Sequence, residues 1–262
     1  MITQAIPTTV PQRTATTRLS AAELAAFRAK GYHVVRGLFD PNHMERLAVE
    51  TEGLHARMAA HAPEEVDVSW EEGLPDGRPP RIRQLMHSER VSPIIDTMSR
   101  SDEILDILEQ LIGPDIYLFH SKLMMKAAHD GTFTPWHQDW GYWQYGNIQP
   151  SQVNCMLAID AADEENGSIR FVDGSHLQGP VDHARFASSS FSIGLEGGLD
   201  AFPSTLLEFA PGDAVFFGPL VIHGSGPNAS ARDRRANTFA FDRCGNQKNG
   251  ELPERMHRRG AR

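Results

Sequence analysis

Two histidines and one aspartate in the second half of the chain are spaced as ligands of a single metal ion. His137 and Asp139 lie two residues apart, and His223 follows a hydrophobic segment that we expect to be a strand ending at this histidine. In an extended chain alternate side chains point the same way, so residues 137 and 139 can reach one point. Two histidines and a carboxylate on one face of iron(II) leave the other face open for a bidentate co-substrate and dioxygen. The spacing therefore predicts a three-ligand metal site.

The His-x-Asp pair alone is a weak signal, because the chain contains 12 histidines and such pairs arise by chance. The alternative is a histidine at a strand end, hydrogen-bonded to a surface aspartate. The residues after His223 favour the metal site. Arg232, Arg234 and Arg235 lead into an apolar strand, and a guanidinium entering a β core is costly unless it meets a carboxylate. A dicarboxylate co-substrate would supply one in a bidentate pairing.

The first half of the chain reads as helices that flank this region. Ser20 and Glu23 form a capping-box pattern at the start of a helix that Gly31 ends. A short strand, residues 32–35, follows, and Asp40 with Pro41 begins a second helix. A third, strongly periodic helix opens at Ser99 or Ser101 and ends at Gly113-Pro114, and residues 64–80 read as one long loop.

Short strands dominate from residue 115 onwards. They are rich in β-branched and aromatic residues and are bounded by turn residues, at positions 116–125, 152–159, 168–172, 205–209, 214–217 and 235–241. Such a series favours an antiparallel sandwich or barrel over βαβ units. The predicted fold is mainly β with flanking helices, with a double-stranded β-helix (jelly-roll, cupin-like) core.

Length and charge set broad limits on the class of protein. The 262 residues suit one domain, which we expect over residues 18–245, between a flexible arm (1–17) and a mobile basic tail (246–262). A net charge of −9 gives no support to a nucleic-acid or anionic-membrane partner. Two cysteines and the lack of an 18-residue apolar run favour a cytoplasmic protein without a transmembrane helix. The sequence does not indicate an oligomeric state.

Four ordered blocks carry a resemblance to a known family. They are Phe27–Gly37, Trp136–Asp139, Glu165–His176 and a last block that runs from Pro211 to Phe217 and on through His223–Ser230 to Arg234. With these blocks the chain resembles the phytanoyl-CoA dioxygenase family of 2-oxoglutarate-dependent dioxygenases. Within that family it is similar to bacterial small-molecule hydroxylases such as ectoine hydroxylase. The four blocks in order are far more specific than any one of them.

The resemblance implies roles for individual residues. His137, Asp139 and His223 would bind iron(II), while Arg234, helped by Ser225, would bind the far carboxylate of 2-oxoglutarate. Arg232 and Arg235 are rivals for that salt bridge. Lys126 would face the co-substrate or the substrate, or would be a strand lysine that reaches out to solvent. His176 is expected in a structural turn and not on the metal. Dioxygen would be the second co-substrate, and ascorbate a reductant.

The resemblance also implies a reaction, the hydroxylation of an unactivated carbon with release of succinate and CO2. Related halogenases replace the carboxylate ligand by a small residue, so the presence of Asp139 favours hydroxylation. Desaturation, epoxidation and cyclisation stay open, as do a cupin enzyme with another metal and a binding protein that does not use 2-oxoglutarate. The substrate would be an amino acid, a derivative or a natural-product intermediate. Candidate substrate contacts are Trp143, Asn154, Phe217 and Thr238, and residues 176–203 are a candidate lid.

Overall fold

The computed structural model of the chain describes residues 18–74, 76–186, 191–250 and 256–258. The arm expected at residues 1–17 lies outside the described residues, as do 251–255 and 259–262 of the expected tail. The α-helices of the described part are α1 (Ala21–Lys30), α2 (Pro41–Ala60), α3 (Pro93–Ser99), α4 (Asp102–Ile112) and α5 (Trp140–Trp143). Short 3-10 helices lie at Ser88–Arg90, Ser175–Gln178 and Leu199–Ala201.

The strands are mostly short and alternate with turns in the second half of the chain. They are β1 (Tyr32–Val35), β2 (Val68–Trp70), β3 (Ile82–Met86), β4 (Ile116–Lys126), β5 (Thr134–His137), β6 (Val153–Ala158), β7 (Ile169–Phe171), β8 (Ala184–Arg185), β9 (Ile193–Gly194), β10 (Thr205–Leu206), β11 (Ala214–Phe217), β12 (His223–Ser225), β13 (Arg234–Arg243) and β14 (Met256–Arg258).

These strands form two main antiparallel sheets. The larger sheet has the order β1-β11-β6-β13-β4-β3-β2, with β14 paired to β4. The smaller sheet has the order β10-β7-β12-β5, and β8 pairs with β9 separately. Non-consecutive neighbours in both sheets are the mark of a jelly roll, in which the chain crosses repeatedly from one sheet to the other. The predicted fold class, a mainly β jelly-roll core with flanking helices, is confirmed.

Alternation along the central strands divides the core into two layers. Cys155 and Leu157 of β6 point into a cluster shared with the helices, whereas Met156 between them joins a second cluster. That second cluster lies between the sheets, since it also contains Phe171 of β7 and Phe217 of β11. Because both faces of β6 are covered, all six of its residues are buried. The inner layer is the one that surrounds the candidate site.

The helices cover the outer face of the larger sheet and begin where their caps place them. Ser20 and Glu23 form a reciprocal capping box on α1, and Gly31 ends that helix at φ 88°, a left-handed conformation that favours glycine. Asp40 accepts hydrogen bonds from two N–H groups at the start of α2. Ser101, one of two expected starts, is the N-cap residue of α4, although its side chain makes no capping bond. The predicted bounds of α1 and α4 and the predicted start of α2 are confirmed.

The structure departs from the sequence prediction between residues 64 and 100. The expected loop contains β2, and β3 and α3 follow without having been predicted. β2 and β3 extend the larger sheet beyond β4, where few apolar residues are needed because one edge faces solvent. Residues 256–258 of the expected mobile tail pair with β4 as β14.

No helix in the described ranges is long and apolar enough to cross a membrane.

Candidate metal centre

Two adjacent strands of the smaller sheet bring the candidate histidines together. β5 and β12 pair antiparallel with His137 opposite His223, and the two imidazole rings have centroids 4.2 Å apart. β5 lies at the edge of the sheet, where Pro135 is tolerated because an edge strand has unpaired N–H positions. His223 begins β12 and does not end the preceding strand, so that expectation was wrong. The chain leaves β11 at Phe217 and turns at Pro219, which has no N–H for a ladder.

Asp139 reaches the histidines by a different route from the one expected. β5 stops at His137, and Asp139 has helical backbone angles (φ −58°, ψ −29°) as the residue before α5. The Asp139 carboxylate is therefore positioned by the turn from β5 into α5, and not by the alternation of side chains along a strand. The side chain makes no capping bond to α5, which leaves both oxygens directed at the histidine pair.

The three side chains form one compact, buried cluster. His137 Nε2 lies 3.8 Å from Asp139 Oδ1, and His223 Nε2 lies 3.9 Å from Asp139 Oδ2. One ligand atom from each residue falls within 4.8 Å of the others. All three residues are at most 6% exposed. These separations suit three ligands around one cation, with each bond close to 2 Å.

Backbone carbonyls orient both imidazole rings. His137 Nδ1 lies 2.8 Å from the carbonyl oxygen of Pro135, and His223 Nδ1 lies 3.0 Å from that of Val221. A carbonyl accepts only, so each Nδ1 carries the hydrogen and each Nε2 presents a lone pair. Metal-bound histidines are held in the same way, through the nitrogen that does not touch the metal.

Burial and neighbouring charge set the protonation states of the cluster. Burial, followed by the nearby His223, lowers the pKa of His137 to about 3, and burial lowers the pKa of His223 as well. Burial alone would raise the pKa of Asp139, but Lys122 and the two histidines outweigh it and hold that pKa below its ordinary value. At neutral pH the cluster thus offers two neutral imidazoles and one carboxylate.

Two amide side chains, those of Asn154 and Gln138, hold the cluster and the segment that carries it in place. Asn154 Nδ2 donates to Asp139 Oδ2 over 2.8 Å, and this asparagine is fully buried on β6. Gln138, between the two candidate ligands, donates to the carbonyls of Gly179 and Leu220 and accepts from the N–H of Val181. The first contact holds the carboxylate, and the others join the ligand segment to two distant parts of the chain.

Arg234 is a buried guanidinium in the wall of a cavity beside the cluster. It begins β13, is 6% exposed and donates through Nη2 to the carbonyl of Gly167 at 2.7 Å, while its Nε has no partner among the described residues. Its two rivals are already paired. Arg235 contacts Asp160 at 2.7 Å, and Arg232 contacts Asp163 at 2.7 Å.

Burial lowers the pKa of Arg234 to about 10, which still leaves it charged at neutral pH. Within the described residues it forms no ion pair with a carboxylate, so a cation is buried with room for an anion.

The cavity adjoins the cluster, with His137 and His223 in its wall. Ser225 and Lys126 occupy different positions relative to this cavity. Ser225 lines the cavity together with Arg234. Lys126 is 5% exposed and donates to the carbonyl of Gly226, and it does not line the cavity. Burial, followed by the neighbouring Arg234, lowers the pKa of Lys126 well below its usual range. The lysine therefore does not reach out to solvent, and its direct contact is with the loop after β12.

The four candidate substrate residues are split between the cavity and its surroundings. Phe217 and Thr238 line the cavity beside the two histidines. Trp143 packs on Phe119, with ring centroids 5.5 Å apart, and Asn154 binds Asp139; neither lines the cavity.

Within the described part of residues 176–203, the stretch 191–195 packs against the cluster and the segment that carries it. The ring of Phe191 is 5.5 Å from that of His137, and Leu195 N–H donates to the carbonyl of Trp136. Tyr142 Oη donates to the carbonyl of Ile193 at 2.7 Å. His176 lies in the 3-10 helix and contacts the carbonyl of Arg28 at 3.0 Å, away from the cluster.

Further cavity residues were not predicted. They are Lys122, Met124, Thr134, Met156, Ile169, Phe191 and Gly224. Counting by two along β4 from Lys126 would have placed Met124 and Lys122 on the same face. Phe191 had no such signal, because a loop residue carries no periodicity.

The residues present fit a divalent metal and a diacid co-substrate. The cluster supplies two neutral nitrogens and one anionic oxygen, the set that suits iron(II) with positions left open. Arg234 lines the same cavity, its Nε has no partner among the described residues, and its guanidinium can take a carboxylate.

Comparison with known proteins agrees with this chemistry. The family described as phytanoyl-CoA dioxygenase matches residues 27–236. The L-proline trans-4-hydroxylase of Streptomyces griseoviridis is 28% identical over 184 residues, which cover 63% of this chain and 69% of that protein. The ectoine dioxygenase of Bordetella parapertussis is 26% identical over 241 residues, or 84% of this chain and 74% of the relative.

A solved structure shares the fold. The crystal structure of EctD from S. alaskensis with 2-oxoglutarate and 5-hydroxyectoine superposes with a TM-score of 0.71 at 18% identity, covering 90% of this chain and 80% of that one. At this identity the likeness speaks for the fold, and the family match speaks for the class of enzyme. The chain therefore belongs to the phytanoyl-CoA dioxygenase family, a family of iron(II)- and 2-oxoglutarate-dependent dioxygenases.

Proposed function

We propose that this chain is a hydroxylase that uses iron(II), 2-oxoglutarate and dioxygen to oxidise an unactivated C–H bond of a small molecule. The observation that carries the proposal is the pairing of two features in one cavity. One is the buried cluster of His137, Asp139 and His223, and the other is Arg234, a buried cation with an unpartnered Nε. The first suits a ferrous ion with open positions, and the second suits the diacid.

His137, Asp139 and His223 would hold the iron. Iron(II) bound there would activate dioxygen, whose one oxygen atom would enter succinate as 2-oxoglutarate loses CO2 and whose other oxygen atom would turn C–H into C–OH. The protein orients the ligands for this task. Carbonyls keep both Nε2 atoms unprotonated, and the Asn154 amide holds one carboxylate oxygen so that the other is free for the metal.

Arg234 would anchor the far carboxylate of 2-oxoglutarate, with Ser225 as a second donor. Its planar guanidinium can bind both oxygens of a carboxylate at once, which fixes direction as well as position. Lys126 supports this anchor indirectly, since it ties the loop after β12 through the Gly226 carbonyl.

Residues above the cluster would exclude water from the reacting centre. Phe191 covers the ring of His137, and Tyr142 holds the backbone at Ile193. Water exclusion protects a strong oxidant from side reactions and strengthens electrostatic contacts in the site. Among the relatives are enzymes named for L-proline and for ectoine, so we place this chain's substrate among amino acids, their derivatives and natural-product intermediates.

The test begins with 2-oxoglutarate binding to iron(II)-loaded protein without oxygen, measured by calorimetry. With oxygen and ascorbate, succinate release is then followed across a panel that includes L-proline and ectoine, and products are analysed by mass spectrometry for a gain of one oxygen. We expect hydroxylated product in equal amount to succinate. A product that loses two hydrogens instead would assign a desaturase.

The ligand assignment has its own variants. His223→Ala and Asp139→Ala should each abolish turnover, whereas His61→Ala, which changes an exposed histidine at the end of α2, should leave it intact. Full activity in either ligand variant would overturn the assignment. If 2-oxoglutarate does not bind the iron-loaded wild type, the proposal as a whole fails.

A further inference from the structure

A lysine that the proposed reaction does not use faces the candidate metal centre. Lys122 lies on β4 opposite Thr238 of β13 and lines the cavity, with 19% of its side chain exposed. Its Nζ is 3.7 Å from Asp139 Oδ1, longer than a hydrogen bond. Asn154 already occupies the other oxygen of that carboxylate at 2.8 Å. The Lys122 ammonium therefore lies near the Asp139 carboxylate but does not form a hydrogen bond with it.

The charged groups in and beside the cavity sum to a net positive charge when Lys122 is included. Two cationic side chains line the cavity, Lys122 and Arg234, and no aspartate or glutamate of the described residues lines it, although Asp139 adjoins it. Under the proposed function a metal dication and the 2-oxoglutarate dianion cancel. With Arg234, Lys122 and Asp139 added, the sum is one positive charge in excess. An excess charge in a mostly buried cavity is costly, so one more negative charge is expected there.

Lys122 stands apart from the anchor of the co-substrate. Arg234 is opposite Lys126 on β4, four residues from Lys122, which corresponds to about 13 Å along the strand. The four C–C bonds between the carboxyl carbons of 2-oxoglutarate span at most roughly 6 Å. Lys122 therefore lies at the metal end of the cavity, four residues along β4 from the position opposite Arg234.

The other walls near Lys122 are apolar. Phe191, Phe217, Met156 and Ile169 supply aromatic and aliphatic surface in the same cavity. Such a pocket takes a small apolar body whose orientation is fixed by one polar contact. Because Lys122 Nζ is so close to Asp139, a group held by this lysine would lie within a few bonds of the carbon that is oxidised.

We propose that the substrate is a small organic monoanion, such as a free carboxylic acid, whose negative group pairs with Lys122. Neutral amides or esters and cationic analogues would be poor substrates, because they leave the ammonium unpaired. This inference rests on the proposed function, since the charge balance assumes a bound metal and 2-oxoglutarate. It names the class of substrate and the residue that selects it.

The experiment measures binding, and not turnover. Iron(II)-loaded protein is first titrated with 2-oxoglutarate in the absence of oxygen, and the complex is then titrated by calorimetry with cyclopentanecarboxylate or with cyclopentanecarboxamide. These probes share an apolar ring and differ in charge. We expect the acid to bind and the amide not to bind. Lys122→Met should weaken binding of the acid at least about ten-fold, and Lys122→Arg should stay within a few-fold of the wild type.

Lys30→Met is the matched control. It removes the same charge from a half-exposed lysine paired with Asp173 on the surface, and it should not change binding of the acid. Circular dichroism establishes that each variant is folded.

Three results would overturn the inference. One is equal affinity for acid and amide, and another is a wild type that binds 2-oxoglutarate but neither probe. The third is a Lys122→Met variant that loses affinity for 2-oxoglutarate but not for the acid, which would assign Lys122 to the co-substrate. Failure of the first titration in the wild type would count against the proposed function instead.

Discussion

Replacement of Arg234 by methionine should have opposite effects on the stability of the ligand-free protein and on 2-oxoglutarate binding. Burial lowers the pKa of Arg234 from 12.5 to about 10, a difference that corresponds to roughly 3 kcal/mol against the charged form. This penalty acts in full at neutral pH, because that pH lies below both values. The bond to the Gly167 carbonyl returns about 1 kcal/mol. Arg234→Met should therefore stabilise the ligand-free protein by about 2 kcal/mol and raise its Tm by about 4 to 8 °C.

The same change should remove most of the affinity for 2-oxoglutarate. Loss of one partner from a buried ion pair costs about 3 to 5 kcal/mol, which corresponds to roughly two to four orders of magnitude in Kd. In the wild type, 2-oxoglutarate should raise the Tm of the iron(II)-loaded protein, because a ligand that binds only the folded state stabilises it. In Arg234→Met this rise should be absent at the same ligand concentration.

Calorimetry of unfolding and of 2-oxoglutarate binding, both without oxygen, measures the two effects. Arg235→Met is the control, since this neighbouring arginine already pairs with Asp160 and Glu52. It should lower the Tm and leave the Kd for 2-oxoglutarate unchanged. The reasoning is refuted if Arg234→Met lowers the Tm of the ligand-free protein and binds 2-oxoglutarate like the wild type.

Three further changes test other contacts. Asn154→Leu removes the donor that holds Asp139 and should weaken metal binding about 10- to 100-fold in a chelator competition; unchanged affinity would contradict this role. Burial alone would raise the pKa of Asp213, but an arginine and two backbone N–H groups hold it below its ordinary value. Its stabilisation is thus complete above the unfolded value of about 3.9 and is lost as pH falls, so Asp213→Asn should lower the Tm at pH 7 but much less near pH 3. Gly167→Ala, at φ +73° with its new Cβ 2.4 Å from a carbonyl oxygen, should cost at least about 1 to 3 kcal/mol and weaken 2-oxoglutarate binding, whereas Gly37→Ala, at φ +57° with nothing within 4 Å, should cost less and spare binding.

Local sequence signals were sufficient for the elements that carry strong periodicity or clear caps. The capping box at Ser20 and the glycine at Gly31 fixed both ends of α1. The β-branched and aromatic segments gave β4, β6, β11 and β13 within one or two residues. These elements form the centre of the larger sheet, so the fold class followed from them.

Elements that depend on distant partners could not be predicted in this way. β3 is a strand because β4 offers it an edge, and β2 because β3 does; the alternation of Val66, Val68 and Trp70 with polar residues is too short to mark β2 within the acidic, Pro- and Gly-rich stretch 64–80. The extended conformation assumed for residues 137–139 was wrong at Asp139, because α5 begins directly after it. The sequence named three residues that the fold does bring together, although their role as iron ligands stays a prediction.

Ion pairing favours Arg234 as the anchor of the co-substrate, the same arginine that its spacing from His223 favours through the family resemblance. The folded chain adds a physical reason, because Asp163 and Asp160 pair with Arg232 and Arg235. Lys122 was not predicted from the sequence. Its importance comes from the distance to Asp139, and these residues lie on different elements.

The amide of Gln138 makes the ligand pair and the covering segment mechanically dependent on each other. Its three hydrogen bonds reach Gly179, Val181 and Leu220, so the strand that bears His137, the start of residues 176–203 and the turn before His223 share one junction. The Gln138 N–H also donates to His183 Nε2 at 2.9 Å, so this junction extends to residue 183. A change of sequence confined to residues 191–195 would leave the junction, and with it the placement of the candidate metal ligands, intact.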